Sequence, residues 1–266
     1  MAVTPVDELL LREPNLWVPG KKPVGNVKID HSHPMAKDLL TFQIPSEKYN
    51  RELVSNKQSV LHTNGSYGVD ATDPYLESTS DTTGGSYTSF DKPVIPDVGY
   101  AFTVLVFCQI SSLAQYGEIV SFPWKETTWT DPYSNFNLSR DNELDILRVQ
   151  GIDFKDQISP SSTFSYVSTS PIMIGCTCAS GTSTPEWYRY EKGEPPIIHG
   201  AARQALGTRF WDTFDTGIGL LQRNVPAYQG EGGTGKIWWS AFWFRKLSTT
   251  EVESMYNDPY QFLIPA

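Results

Sequence analysis

The sequence predicts an all-β chain folded as a two-sheet antiparallel sandwich. Three observations carry this prediction. Glycine and proline are plentiful, at 20 and 19 of 266 residues, and aromatic residues reach 13%; frequent turns between aromatic-rich segments suit sheets better than helices. Short apolar and β-branched runs recur between turn residues from Ala101 onward, the spacing of a sandwich. The run AFTVLVFCQI, residues 101–110, is almost continuously apolar, as expected of a strand covered on both faces.

The elements follow in order. TPVDELLLR, residues 4–12, reads as a short helix. Thr4 can cap it, Pro5 suits its first turn, and Asp7 and Glu8 favour its positive end. EPNLWVPGKKPVGNVKID, residues 13–30, holds three prolines and two glycines and reads as an extended arm pinned by Leu16, Trp17 and Val18. Residues 35–100 are rich in small polar residues and predict short strands with long loops. Strands are then expected at 101–110, 117–122, 134–140, 143–149, 163–169, 171–179, 186–194 (entering a Lys192-Gly193 turn), 216–223 and 236–244. Near the end, Ser248 and Glu251 form a capping box for a helix beginning near Thr249. Leu247 and Val252 flank it as a hydrophobic staple, Val252, Met255 and Tyr256 form its apolar stripe, and Pro259 stops it.

Charge and cysteine content exclude several functions. A net charge of −9, with no basic stripe, argues against a nucleic-acid partner. No apolar run reaches membrane-spanning length, and MAVTPVDELL lacks the apolar centre of a signal peptide. The chain is therefore expected to be made in a cytoplasm without a signal peptide and to have no membrane partner. Cys108, Cys176 and Cys178 are an odd set without Cys-x-x-Cys spacing, and predict buried, reduced thiols.

Candidate chemistry is sparse. DNELDILRVQ, residues 141–150, resembles the Glu-x-Asp-x-x-Glu strand of laminarinase-like glycoside hydrolases, but Arg148 stands where the third acid belongs. Glu143 and Asp145 share one face of a strand. Arginine cannot protonate a leaving group, and retaining hydrolysis needs a second carboxyl group as acid. The expectation is an ordinary strand, with Leu144 and Ile146 in the core and no catalytic residue. His31 and His33 lie two apart in IDHSHP without a nearby third ligand beyond Asp30, so no metal site is expected there. Ca²⁺ stays open, since it takes scattered oxygens such as those of Asp91, Asp97, Asp141 and Asn142; no other cofactor is expected. GEGGTGK, residues 230–236, lacks the phosphate-loop spacing and reads as a loop before the last strand. Trp124, Trp129 and Tyr133, in PWKETTWTDPYSN, form the best aromatic patch for stacking on a sugar, although edge packing or a subunit contact is the stronger reading for them. In IWWSAFWF, strict alternation puts Ile237, Trp239, Ala241 and Trp243 on one face and Trp238, Ser240, Phe242 and Phe244 on the other. Both faces are then apolar. The outer one needs cover from the terminal helix, the N-terminal arm or another subunit, which makes Trp238, Phe242 and Phe244 candidate docking residues with Leu9, Leu10 and Trp17 of the arm.

Several segments resemble a family. VKIDHSHPMAKDL (27–39), SYTSFDKPVIPDVGYAFTVLVFCQI, EWYRYEKGE (with Lys192 where asparagine is usual) and KIWWSAFWFRKLSTTEVESMYNDPYQFLIP are similar to laminin-G/concanavalin A-like jelly-roll modules of tailed-phage structural proteins. The resemblance covers about residues 27–266. It implies a two-sheet jelly roll over 27–266 behind an N-terminal docking arm over 1–26. It also implies a non-enzymatic structural component of a tailed-phage virion, in the head decoration or tail, contacting other virion proteins and copies of itself as a homo-oligomer. Such modules often bind glycans, so a glycan-binding module for host attachment is the alternative, and a glycoside hydrolase-like domain is the third reading.

Overall fold

The computed structural model describes residues 22–23, 26–48, 50–58, 60–61, 64–70, 73–80, 84–88, 101–113, 117–121, 137–140, 147–150, 165–179, 186–200, 218–221 and 232–266. The strands are β1 (Val27–Ile29), β2 (Leu39–Pro45), β3 (Asn50–Glu52), β4 (Lys57–Gln58), β5 (Val60–Leu61), β6 (Gly65–Asp70), β7 (Asp73–Ser78), β8 (Ser86–Thr88) and β9 (Phe102–Leu113). They continue with β10 (Glu118–Ser121), β11 (Asn137–Arg140), β12 (Leu147–Gln150), β13 (Ile172–Cys178), β14 (Glu186–Glu191), β15 (Ile197–Gly200), β16 (Ile218–Leu220), β17 (Gly233–Trp243) and β18 (Leu263–Pro265). Among the described residues, one α-helix, α1, spans Thr249–Asn257. The predicted helix at 4–12 with Leu9 and Leu10, and the arm through Leu16, Trp17 and Val18, lie outside the described residues; of residues 1–26 only 22, 23 and 26 are described.

The chain divides into two compact units, residues 40–246 and residues 1–39 with 247–266. The larger is the predicted antiparallel sandwich. One sheet has the order β12-β11-β10-β16-β8-β5, and the other β15-β14-β13-β9-β17-β2-β3-β4, with β7 also paired to β17 and β6 to β7. The pairs of the central strands, β13 with β9 and β9 with β17, run antiparallel. Val104, Val106, Cys108 and Ile110 on one face of β9 meet Ile119, Val120, Leu138, Ile218 and Leu220 of the facing sheet in a single apolar cluster. Leu105, on the other face of β9, is also buried, as the apolar run AFTVLVFCQI requires. Cys108, Cys176 and Cys178 are buried and form no disulfide. Burial raises the Cys108 thiol well above its ordinary value, because a thiolate loses its hydration there.

Two expectations need correction. The strand expected at 163–169 is, in its described part, one parallel bridge between Val167 and Ile110. Its serines bond locally instead: Ser165 Oγ donates to Val167 O at 3.2 Å, and Ser168 Oγ to Ser170 O at 2.6 Å. Such side-chain bonds compete with a ladder. In β17 the alternation breaks. Ile237 pairs with Cys108 and Trp239 with Phe107, with a register shift between them. Trp238 is therefore the extra residue of a bulge. Beyond it, Ser240 and Phe242 pair with Val106 and Val104, on the inner face with Ile237. Trp239, Ala241 and Trp243 point outward. Trp238 joins them, its ring 5.6 Å from Phe107 and 5.8 Å from Tyr75. Trp239 and Trp243 are already buried within the single chain.

In the smaller unit, β1 pairs antiparallel with β18, and Asp30 N donates to Phe262 O at 2.8 Å. The helix α1 is capped as predicted: Glu251 N donates to Ser248 Oγ at 3.3 Å, and Ser248 N donates to Glu251 Oε2 at 2.8 Å. Val252 and Met255 are buried. Ser248→Ala is expected to cost about 0.5–2 kcal/mol, read as a lower chemical-denaturation midpoint; an unchanged midpoint would show that this cap adds nothing.

Candidate functional site

The strand β14 carries the best-defined polar cluster. Its sequence, EWYRYE, alternates, and pairing to β13 decides which side is which. Trp187, Arg189 and Glu191 pair with Cys176, Ile174 and Ile172, all members of the inter-sheet cluster. Two charged residues thus sit at the parity of the core. They lie toward the end of the strand, ahead of a turn at Lys192 and Gly193 in which Glu194 N donates to Glu191 O at 3.2 Å. Gly193 has φ +87°, a conformation that glycine adopts without strain.

Arg189 Nη2 donates to Glu191 Oε2 at 2.6 Å, with side chains 15% and 21% exposed. Ser170 Oγ donates to the other oxygen, Oε1. Ser170 is itself held, because its N donates to Ser168 Oγ at 3.1 Å. The Ser170 hydroxyl first, and Arg189 after it, outweigh partial desolvation and hold the Glu191 carboxyl below its ordinary value. Arg189 Nε is buried with no hydrogen-bond partner among the described residues. The cluster therefore presents an ionised acceptor, a guanidinium and a hydroxyl in fixed positions, partly open to water. Sugar hydroxyls, which donate and accept at adjacent carbons, are bound by such mixed sets.

On the opposite face of β14, Glu186 accepts from Tyr188 Oη at 2.7 Å and from Lys246 Nζ at 3.1 Å. Burial works to raise its pKa, but these two partners together prevail and lower it. Tyr188 and Tyr190 stack 6.4 Å apart beside it.

Other residues singled out in the sequence lie elsewhere. Trp124, Trp129, Tyr133, Glu143, Asp145, Asp91, Asp97, Asp141 and Asn142 are outside the described residues. Arg148 lies on β12 opposite Ser139. Trp238 and Phe242 are buried and Phe244 is half-buried, packed on the core; the rings of Phe242 and Phe244 meet edge-on at 5.7 Å. His33 Nδ1 accepts from Met35 N at 3.2 Å, capping a single 3₁₀ turn. Asp30 Oδ1 accepts from Ser32 N and Oγ at 2.9 and 2.6 Å, which hold its carboxyl below the ordinary value. IDHSHP is thus a turn. No group of three or more metal-ligating side chains occurs among the described residues. The end of GEGGTGK belongs to β17, where Lys236 Nζ lies 4.1 Å from the centroid of the Tyr75 ring. Sequence reasoning passed over Arg189, Glu191 and Ser170, although charged residues at the core parity of EWYRYE were a usable signal.

The fold and this geometry define a β-sandwich with a polar cluster on one sheet. No protein-family model matches the chain, and no curated protein matches its sequence. Solved structures match its fold. Trypanosoma rangeli sialidase, as the covalent intermediate with 2,3-difluorosialic acid, aligns at a TM-score of 0.54 and 12% identity over 85% of this chain and 33% of that one. The binding domain of Botulinum Neurotoxin DC in complex with SialylT aligns at 0.54 and 10% identity, over 85% of this chain and 52% of that one. The binding domain of Paraclostridial Mosquitocidal Protein 1 aligns at 0.52 and 13% identity, over 83% and 52%. The chain spans about a third of the sialidase and about half of each toxin domain. The likeness is one of fold, and it supports the sandwich architecture but not a phage origin. It also overturns the expectation that the chain is not an enzyme, because a glycosidase, the sialidase, is among the proteins that share its fold.

Proposed function

We propose that this chain is a sugar-recognising β-sandwich, and that Arg189, Glu191 and Ser170 take the sugar hydroxyls. The carrying observation is the ion pair and hydroxyl held together at the core parity of β14, at 2.6 Å between Arg189 Nη2 and Glu191 Oε2. Support comes from the fold neighbours, one solved with a sialic acid derivative and one with SialylT. An array of sialylated and neutral oligosaccharides tests the reading, with release of free sugar followed in the same samples. Glu191→Gln and Arg189→Ala are expected to weaken binding about ten- to hundredfold. That matches the loss of a charge-assisted hydrogen bond, about 1.5–3 kcal/mol. Retained binding in both folded variants would move the site elsewhere. The virion role, with its docking arm over residues 1–26 and neighbouring virion proteins, rests on the sequence motifs alone.

A further inference from the structure

The cluster of Arg189, Glu191 and Ser170 has a definite supply of donors and acceptors. Arg189 Nε is enclosed, and Nη2 gives one hydrogen to Glu191 Oε2 at 2.6 Å. A guanidinium carries about five N–H groups, so Nη1 and the second hydrogen of Nη2 are left to donate. Glu191 accepts once on each oxygen, from Ser170 and from Arg189. A carboxylate has about four acceptor positions, so each oxygen keeps a further one. Ser170 N donates to Ser168 Oγ at 3.1 Å, and Ser168 Oγ donates to Ser170 O at 2.6 Å, which fixes the residue whose hydroxyl Glu191 receives. The cluster sits beside open surface: residues 192–196, which follow Glu191, are all exposed, as is Thr169 before Ser170.

The charges of the cluster cancel. Arg189 supplies the positive one, and Glu191, which its partners hold ionised, the negative one. The next charged residues along the chain, Lys192 and Glu194, are both exposed and again of opposite sign. The chain as a whole carries −9.

Resting on the reading of this cluster as a sugar site, we infer that it selects neutral sugars over acidic ones by gripping two adjacent ring hydroxyls. One hydroxyl donates to Glu191, and its neighbour accepts from an Arg189 Nη. A hydroxyl both donates and accepts, so the pair can lie across the ion pair. A ligand carboxylate only accepts. It reaches Arg189 only where it also meets Glu191, whose like charge opposes it, and the charge of Arg189 is already matched.

Matched probes test this on the full chain: the methyl glycosides of glucose, galactose and mannose beside the corresponding methyl uronosides, which carry one carboxylate in place of the terminal hydroxymethyl group. Titration followed by NMR gives the affinities. A neutral glycoside should bind roughly tenfold or more tighter than its uronoside, and its affinity should barely change from low to high salt, because no net charges are paired. Glu191→Gln should reverse the order: the neutral sugar weakens and the uronoside gains, since Arg189 is then unpaired. A fall of both together would assign Glu191 to the shape of the site and overturn the selectivity. Equal or tighter, salt-sensitive binding of a uronoside by the wild type, lost in Arg189→Ala, would also overturn it while leaving the sugar site in place. No binding of any probe, or binding that both variants leave unchanged, would remove the sugar site itself and the selectivity with it. Should Glu191→Gln fail to fold, the wild-type ratio and its salt dependence decide.

Discussion

Trp239→Ala is expected to destabilise the chain by about 3–5 kcal/mol, the range for emptying a buried aromatic position. Trp239 is 2% exposed. It stacks on Phe107 at 6.3 Å with an interplanar angle of 18° and meets Phe42 at 6.2 Å. Its neighbours belong to strands on either side of β17, so no single side chain can close the space left behind. Alanine keeps the backbone and its ladder, which isolates the packing loss. Chemical denaturation should show a lower midpoint with an unchanged slope, because the surface exposed on unfolding hardly alters. A loss under about 1 kcal/mol would mean that this outer face repacks freely, contrary to the close packing of native interiors.

Gly175→Val is expected to destabilise by about 3 kcal/mol, the upper part of the range for overpacking. Two rules oppose each other here. Valine favours strands, and glycine in a strand interior is a weak choice. Yet a Cβ at Gly175 would lie 2.1 Å from Val104 O and 2.6 Å from Leu105 Cδ2. Val104 lies on β9, held on one side by β13 and on the other by β17, so its carbonyl cannot retreat without opening a ladder. Strand preference spans only about 1 kcal/mol across residue types, so the collision decides the sign. Thermal unfolding of Gly175→Val against the wild type measures it; an equal or higher melting temperature would show that the two strands separate at little cost.

The features legible in the sequence are those set by short-range pattern. AFTVLVFCQI announced a strand buried on both faces because only Thr103 and Gln109 interrupt its apolar run. The capping box at Ser248 and Glu251 was legible because all its partners lie within four residues. The fold class followed from turn spacing. The candidate site was not found this way. Arg189 and Glu191 looked like an ordinary strand end, and Ser170, which holds the Glu191 carboxyl, is 21 residues away in sequence. The expectation of no enzyme rests on the missing acid at Arg148, on the lack of other catalytic spacings and on the family resemblance, and none of these shows which proteins share a fold.

By itself the sequence determined an antiparallel all-β chain, the central apolar strand, the buried thiols and the capped terminal helix. Each depends on the local alternation of side chains or on hydrogen bonds between near neighbours. Tertiary structure decided which face each residue of β17 presents, because the bulge at Trp238 is set by register against β9, and one added residue reverses every later position. It also decided that Arg189, Glu191 and Ser170 meet. That grouping arises only when segments distant in the chain are laid side by side.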